Sequence, residues 1–378
     1  MALNFPNTPN PGDTYTSGSA IWQWDGTKWN AGSSTVAYLP LSGGTLSGPL
    51  VLNADPTAAL GAATKQYADA GSAAAEHNVG RNLLHNGLMN IAQRGAGPWT
   101  TNGAYTADRW EILVSGDTVS VSIAVNSDAT RAAIGDEAAL QCLVVNFTGT
   151  STGGAYTAVV EKIENVRRLS GKTVTVSFWA SASVALNVNL ALAQIFGTGG
   201  SPSAPVGVAG QNVAIATAWG TRYSLTFALP SAAGKVFGTT AGTDYTQLGF
   251  YFSNAGAAPG VQAGTVALWG VQLELGAVAT PLEKLDPQQD LAKCQRFYQA
   301  GGFSMYGYNV AGSYVTQVVG LPVTMRATPT TTFNLTTNTN LSNTGLDTVT
   351  PQAVRALCTA TATGAIGMVG TFTASADL

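Results

Sequence analysis

The sequence predicts a mainly β fold, with an aromatic N-terminal segment at 1–35, a short helical segment within 36–80, an antiparallel β-sandwich over 81–300 closed by a helix, and a C-terminal β-rich domain over 301–378. Three observations lead there. At 378 residues the chain is long enough for two or three domains of roughly 150 residues each. Charged residues make up only 10% of it, against about 25% in soluble domains, while 44 glycines and abundant Ser, Thr and Asn supply turns and uncharged surface. Between the glycine-rich stretches, apolar residues alternate with small or polar ones at the period of a half-buried strand.

A net charge of −3 with no basic cluster removes the footprint that nucleic acid or an anionic membrane surface requires, so neither is an expected partner. Met1 to Gly12 has neither the positive charge nor the apolar run of a signal peptide. Thr173 to Thr221 is almost uncharged, but Asn187, Asn189, Gln194 and the Gly-Thr-Gly-Gly-Ser-Pro turn at 197–202 break it well short of the ~20 apolar residues of a membrane span. It reads as strands, and no membrane insertion is expected. Cys142, Cys294 and Cys358 are odd in number and widely spaced, which gives neither a disulfide framework nor a zinc site and points to buried thiols. No cofactor and no metal are expected.

Pro6, Pro9, Pro11, Gly12, Gly18 and Gly26 punctuate the first thirty residues, which also hold Trp22, Trp24 and Trp29: too little core to fold alone, enough to dock. The stretch IWQWDGTKW predicts a hairpin, because Asp25-Gly26 is a strong turn signal between aromatic strand residues. Period-two alternation puts Trp22 and Trp24 on one face, packed within a small module or against a partner subunit.

After the small-residue linker Ala31 to Thr35 comes LPLSGGTLSGPLVLNADPTAALGAATKQYAD, Leu39 to Asp69. Its apolar strand, Gly-Gly turn and Thr-Lys-Gln-Tyr helix, in that order, resemble a short repeat of tail fibres and other virion appendages of tailed bacteriophages. The repeat occurs once. Asp55-Pro56 is a helix start, a carboxylate cap followed by a proline suited to the first turn. Leu60, Ala63, Tyr67, Ala70, Ala74 and His77 then recur at spacings of three and four, a heptad seam. The seam is short and rich in alanine, so it needs several chains packed together; the resemblance implies a trimer, and the alternative is a lone surface helix.

From Arg81 the stretch NLLHNGLMNIAQRG, then YTADRW at Tyr105 to Trp110, resembles the start of a jelly-roll domain of phage tail and structural proteins. Leu268 to Gln299, LWGVQLELGAVATPLEKLDPQQDLAKCQRFYQ, resembles the end of the same domain. Between them VSVSIAV, LQCLVVNF, VTVSFWAS, ALNVNLAL, YSLTFAL, LGFYFS and VALWGVQL alternate in character and are parted by Gly, Ser and Pro, the pattern of an antiparallel sandwich. Trp110 anchors the first strand. In the closing helix Asp286 is the cap, Pro287 the first residue, Gln289 completes a capping box and Gly301 is the stop. Its stripe of Leu291, Cys294, Phe297 and Tyr298 faces the β domain or a neighbouring chain. Beyond it, Arg326, Asp347, Arg355 and Asp377 are the sole charged residues of the C-terminal unit, whose LPVTMRATPTTTFNL, Leu321 to Leu335, also resembles those phage proteins.

Catalysis finds little support. A nucleophilic triad needs His77 or His85, and His77 falls on the seam. Two carboxylate pairs, Glu161 with Glu164 and Glu274 with Glu283, have the residue types of a glycosidase. Glu161 and Glu164, however, stand beside Lys162, Arg167 and Arg168, which reads as a solvated charge patch. Glu274 alternates away from Trp269, Val271, Leu273 and Leu275, onto the opposite strand face with Gln272. Jelly rolls resembling carbohydrate-binding modules bind sugars on one sheet face with aromatic planes, amides and carboxylates. By that resemblance Trp179, Tyr251, Gln272 and Glu274 form a candidate glycan site, or else a second packing layer or subunit interface.

The resemblances together imply a phage virion appendage, a tail fibre or receptor-binding fibre, made in the host cytoplasm and carried on the particle surface as a homotrimer. It is expected to attach to other virion proteins by its N-terminus, through Trp22, Trp24 and Trp29, and to contact bacterial surface polysaccharide by its β domains without acting as an enzyme. A purely structural adaptor or head fibre is the second reading, and a glycan depolymerase the third.

Overall fold

The computed structural model describes residues 3–18, 20–32 and 80–378; the chain divides into two compact units, Met1–Ala70 and Gly71–Leu378. The seam from Leu60 to His77 lies outside the described residues. In the first unit β1 (Thr14–Ser17), β2 (Ala20–Trp24) and β3 (Trp29–Gly32) form an antiparallel sheet in that order. Gly26 takes φ 103° at the expected turn. Asp25 accepts from the backbone N–H groups of Thr27 at 2.8 Å and Lys28 at 2.9 Å and from the Asn30 amide at 2.7 Å. These bonds, the Asn30 amide foremost, hold the Asp25 carboxyl well below the usual carboxylate range. Register sets Tyr15 opposite Trp22 and Trp24 opposite Trp29, and the Phe5 ring stacks on Trp29 at 5.2 Å.

In the second unit ten strands make two antiparallel sheets. The first has the order β10 (Val206–Ile215), β9 (Leu186–Phe196), β12 (Asp244–Asn254), β7 (Tyr156–Glu164), β4 (Glu111–Ser115). The second has the order β11 (Arg222–Ala228), β8 (Thr173–Ala182), β13 (Gly264–Leu275), β6 (Gln141–Phe147), β5 (Val119–Val125). Alternate residues of both, among them Val159, Leu190, Phe250, Val176, Phe178 and Leu273, close one core with Trp110, which stands just before β4. Burying each such side chain contributes roughly 1.5–3 kcal/mol, which is what holds the two faces together. The fold is therefore mainly β, as expected, with antiparallel sheets packed as a sandwich.

Three local expectations are corrected. Trp269 and Val271 do not share a face: Gly270, at φ 63°, is an extra residue in β13, so Val271 enters the main core while Trp269 packs outside with Trp179, Cys142 and Leu282. Leu275, expected to face inward, is exposed. The closing helix, α2 (Pro287–Gln295), begins as read, with Asp286 accepting from the Gln288 N–H at 2.9 Å, but ends at Gln295 rather than at Gly301. A further helix, α1 (Asp128–Ile134), lies between β5 and β6, capped by Ser127 and stopped by Gly135 at φ 79°.

Tyr298 opens β14 (Tyr298–Asn309), so the C-terminal unit begins inside the stretch read as helix. With β16 (Thr330–Thr339) and β19 (Gly364–Ser375) it forms a sheet of order β14-β19-β16. A second sheet has the order β15 (Tyr314–Gly320), β18 (Ala353–Ala360), β17 (Leu341–Asp347). Phe303, Met305, Val354, Cys358, Met368 and Phe372 fill the space between them. A Cβ at Gly301 would meet the Phe372 ring at 2.7 Å, so this glycine permits close packing in a strand. All three cysteines are free and buried. No helix of the described residues is long and apolar enough to cross a membrane.

Candidate functional site

The four residues expected to share a sugar site are split between the two sheets. Trp179 stands on β8, Gln272 and Glu274 on β13, all facing outward from the second sheet, whereas Tyr251 faces outward from β12 in the first. The second-sheet group is occupied by the chain's own loop. Glu274 accepts from the Thr280 N–H at 2.9 Å and its hydroxyl at 2.6 Å, the Gln272 amide donates to Glu274 at 2.8 Å, and the Gln272 carbonyl oxygen accepts the Glu283 N–H at 2.7 Å. Both side chains are fully covered. Arg222 donates to the Thr280 carbonyl at 2.7 Å and sets its guanidinium over the Trp179 ring at 4.9 Å, while Trp269 meets that ring at 5.3 Å. This face is a second packing layer.

Tyr251 has a different setting. In β12, Leu248, Phe250 and Phe252 point into the core, which turns Tyr251 out. A Cβ at Gly249 would meet the Tyr251 ring at 2.8 Å, so the ring lies back along its own strand in space that only glycine leaves free. Burial, with Tyr156 close by, raises the Tyr251 hydroxyl above its ordinary value, so it is neutral. The Tyr156 ring centroid lies 6.5 Å away. On the neighbouring strand Asn189 occupies space left by Gly210, where a Cβ would meet its amide oxygen at 2.3 Å, and its amide N–H donates to the side-chain Oδ1 of Asn212 at 2.8 Å. An irregular register between Val208 and Gln211 places Gly210 there. Asn189, Ala191, Gly210, Tyr251, Asn254 and Ala257 thus line an open groove with no charged side chain.

Sequence reading missed the asparagines of this groove, although ALNVNLAL carries the signal: with Val188 and Leu190 inside, Asn189 must face out. A half-covered aromatic plane beside amides suits a flat, uncharged ligand with one apolar face and several hydroxyls.

The carboxylates considered for catalysis are engaged elsewhere. Glu161 is not part of a solvated patch: it is buried, and accepts the His85 N–H at 2.7 Å. Burial pushes its carboxyl up to about 8, and burial followed by the nearby Arg109 pushes the His85 imidazole down to about 3. Glu164 binds Arg326 at 2.9 Å and also Arg296. Glu283 accepts the Asn82 N–H at 2.6 Å and that of Gly80. Among the described residues no group of three His, Cys, Asp or Glu stands ready for a metal ion.

No family model and no curated protein matches the chain. Among solved structures, it is similar to the enzymatically active domain of tailspike protein 4 of bacteriophage CBA120, at 16% identity over 52% of this chain, TM-score 0.30, and spans only 21% of that protein. It is also similar to a putative sugar binding protein from Bacteroides thetaiotaomicron, at 13% identity over 52% of this chain and 100% of that one, TM-score 0.32. A family 11 carbohydrate-binding module from Clostridium thermocellum matches at 13% identity over 48% of this chain and 96% of the module, TM-score 0.29.

Proposed function

We propose that the chain is a virion appendage protein of a tailed bacteriophage, a tail fibre or receptor-binding fibre, which contacts neutral glycan on the host surface through the groove at Tyr251. The observation that carries the glycan contact is the Tyr251 ring held over Gly249 beside Asn189 and Asn254 in a groove without charge. A sugar ring stacks its C–H face on such a plane and bonds its hydroxyls to the amides. The phage setting rests on the sequence resemblances from Leu39 to Asp69 and from Arg81 onward, and with them goes a homotrimer joined along the Leu60 to His77 seam and attached to other virion proteins through the Trp22, Trp24 and Trp29 segment.

The chain acts here by binding and not by cleavage: Glu164, Glu274 and Glu283 serve internal bonds, and Glu161 lies inside the sandwich. Replacing Tyr251 by Ala removes the plane and is expected to weaken adsorption to host cells and retention by their extracted polysaccharide about tenfold, the worth of one aromatic stack. Undiminished adsorption would defeat the proposed groove. Release of soluble fragments from that polysaccharide would identify a depolymerase instead.

A further inference from the structure

Of the large apolar side chains standing free on the C-terminal unit, Tyr306 and Tyr308 are the most exposed, at 72% and 75%. They lie two residues apart on β14, so both project from the outer face of the sheet β14-β19-β16, while Phe303 and Met305 point into the core. Register places Tyr306 opposite Gly367 and Tyr308 opposite Ala365. A Cβ at Gly367 would meet the Tyr306 ring at 3.1 Å, so the ring lies across the neighbouring strand with its other side turned to solvent. Like Tyr251 it lies over a glycine, here one of the neighbouring strand rather than of its own.

Around Val369 and Ala365, the rest of that face carries Ser304, Thr371, Thr332, Asn334, Thr337 and Thr339, hydroxyls and an amide, without a single charge. The four charged residues of the unit are engaged elsewhere: Arg326 with Glu164, Asp377 with Arg109 and Arg94, Arg355 with Asp347. A protein partner wants an apolar centre, and interface centres are poor in Ser. Here two aromatic planes and the small apolar side chains of Val369 and Ala365 are bordered by hydroxyls and an amide, and an anionic ligand would find no counter-charge.

We infer that the outer face of β14-β19-β16 is a second carbohydrate surface, which takes a neutral sugar chain with its rings on Tyr306 and Tyr308 and its hydroxyls toward the Thr and Asn side chains. A second sugar surface makes sense only for a chain that contacts glycan at all, so it rests on the reading above. Affinity electrophoresis of the full chain through gels holding dextran, mannan or galactan, with alginate as the anionic polymer, tests it. The double variant Y306A/Y308A is expected to lose about tenfold in retention by whichever neutral polymer holds the wild type, with Y306F/Y308F within about twofold and the oligomer mass unchanged. Loss in Y251A alone overturns this surface and leaves the groove standing; loss in Y306A/Y308A alone does the reverse. Equal loss in the Phe and Ala doubles, a changed oligomer mass, alginate held as tightly as the neutral polymers, or no retention of the wild type by any neutral polymer also overturns it.

Discussion

Glu161 is protonated in the folded chain at neutral pH, because burial lifts its carboxyl to about 8 from an ordinary 4.5. Between those values the unfolded chain has given up a proton that the folded one keeps, so this residue lowers stability as pH rises through that window. His85 works in the opposite sense. Its imidazole, held down to about 3 from 6.5, stays neutral in the fold while the unfolded chain binds a proton, so stability falls as pH drops from 6.5 toward 3. Asp108 and Asp290, raised by burial, add to the Glu161 trend. Glu161→Gln keeps the acceptor for the His85 N–H and removes the titration. Urea unfolding of this variant is expected to lose up to about 1.4 kcal/mol per pH unit of the decline seen between pH 6.5 and 8. An unchanged profile would place the titration elsewhere.

Strands were legible wherever alternation ran unbroken: VSVSIAV became β5, and ALNVNLAL opened β9. Within the sandwich, β7 and β10 escaped reading because they mix Glu and Lys or glycines into the pattern, as in YTAVVEKIE and VGVAGQNVAI. Charge in β7 hid a strand whose Glu161 points inward, since sequence cannot say that a carboxyl will be buried. Gly270 hid the face of Trp269 in a similar way. One left-handed residue exchanged the faces of everything before it in β13, and nothing in LWGVQLEL distinguishes a bulge from a regular strand. Tyr251 was found by alternation alone, the partners across the sheet were not, because pairing register is not written in one strand. Ala at 270 would adopt φ 63° against the Trp179 ring, 2.8 Å from its Cβ. A loss of about 1–3 kcal/mol is expected, read as a lower urea midpoint with unchanged slope.

The C-terminal unit is fastened to the sandwich by charges the sequence could count but not pair. Asp377 meets Arg109 at 3.1 Å and Arg94, the Glu164–Arg326 pair spans 2.9 Å, and Lys162 donates to the Leu378 carbonyl at 2.5 Å. Replacing Asp377 by Ala takes the carboxylate from a buried Arg109, and a loss of about 3 kcal/mol is expected, with calorimetry expected to resolve two transitions in the variant and one in the wild type. Deletion of Met1 to Thr35 separates fibre from adaptor: the free protein of a receptor binder still adsorbs to cells. Sedimentation of the full chain is expected to give the mass of three chains, falling to one on deletion of Leu60 to His77. The three cysteines bear on how such experiments are run. Burial raises the thiol of each, Cys142 to about 11, so none forms the reactive thiolate near neutrality. A cysteine introduced at Thr332 would then take a maleimide dye alone, giving a fluorescent reporter on the C-terminal sheet without prior removal of any native sulfur.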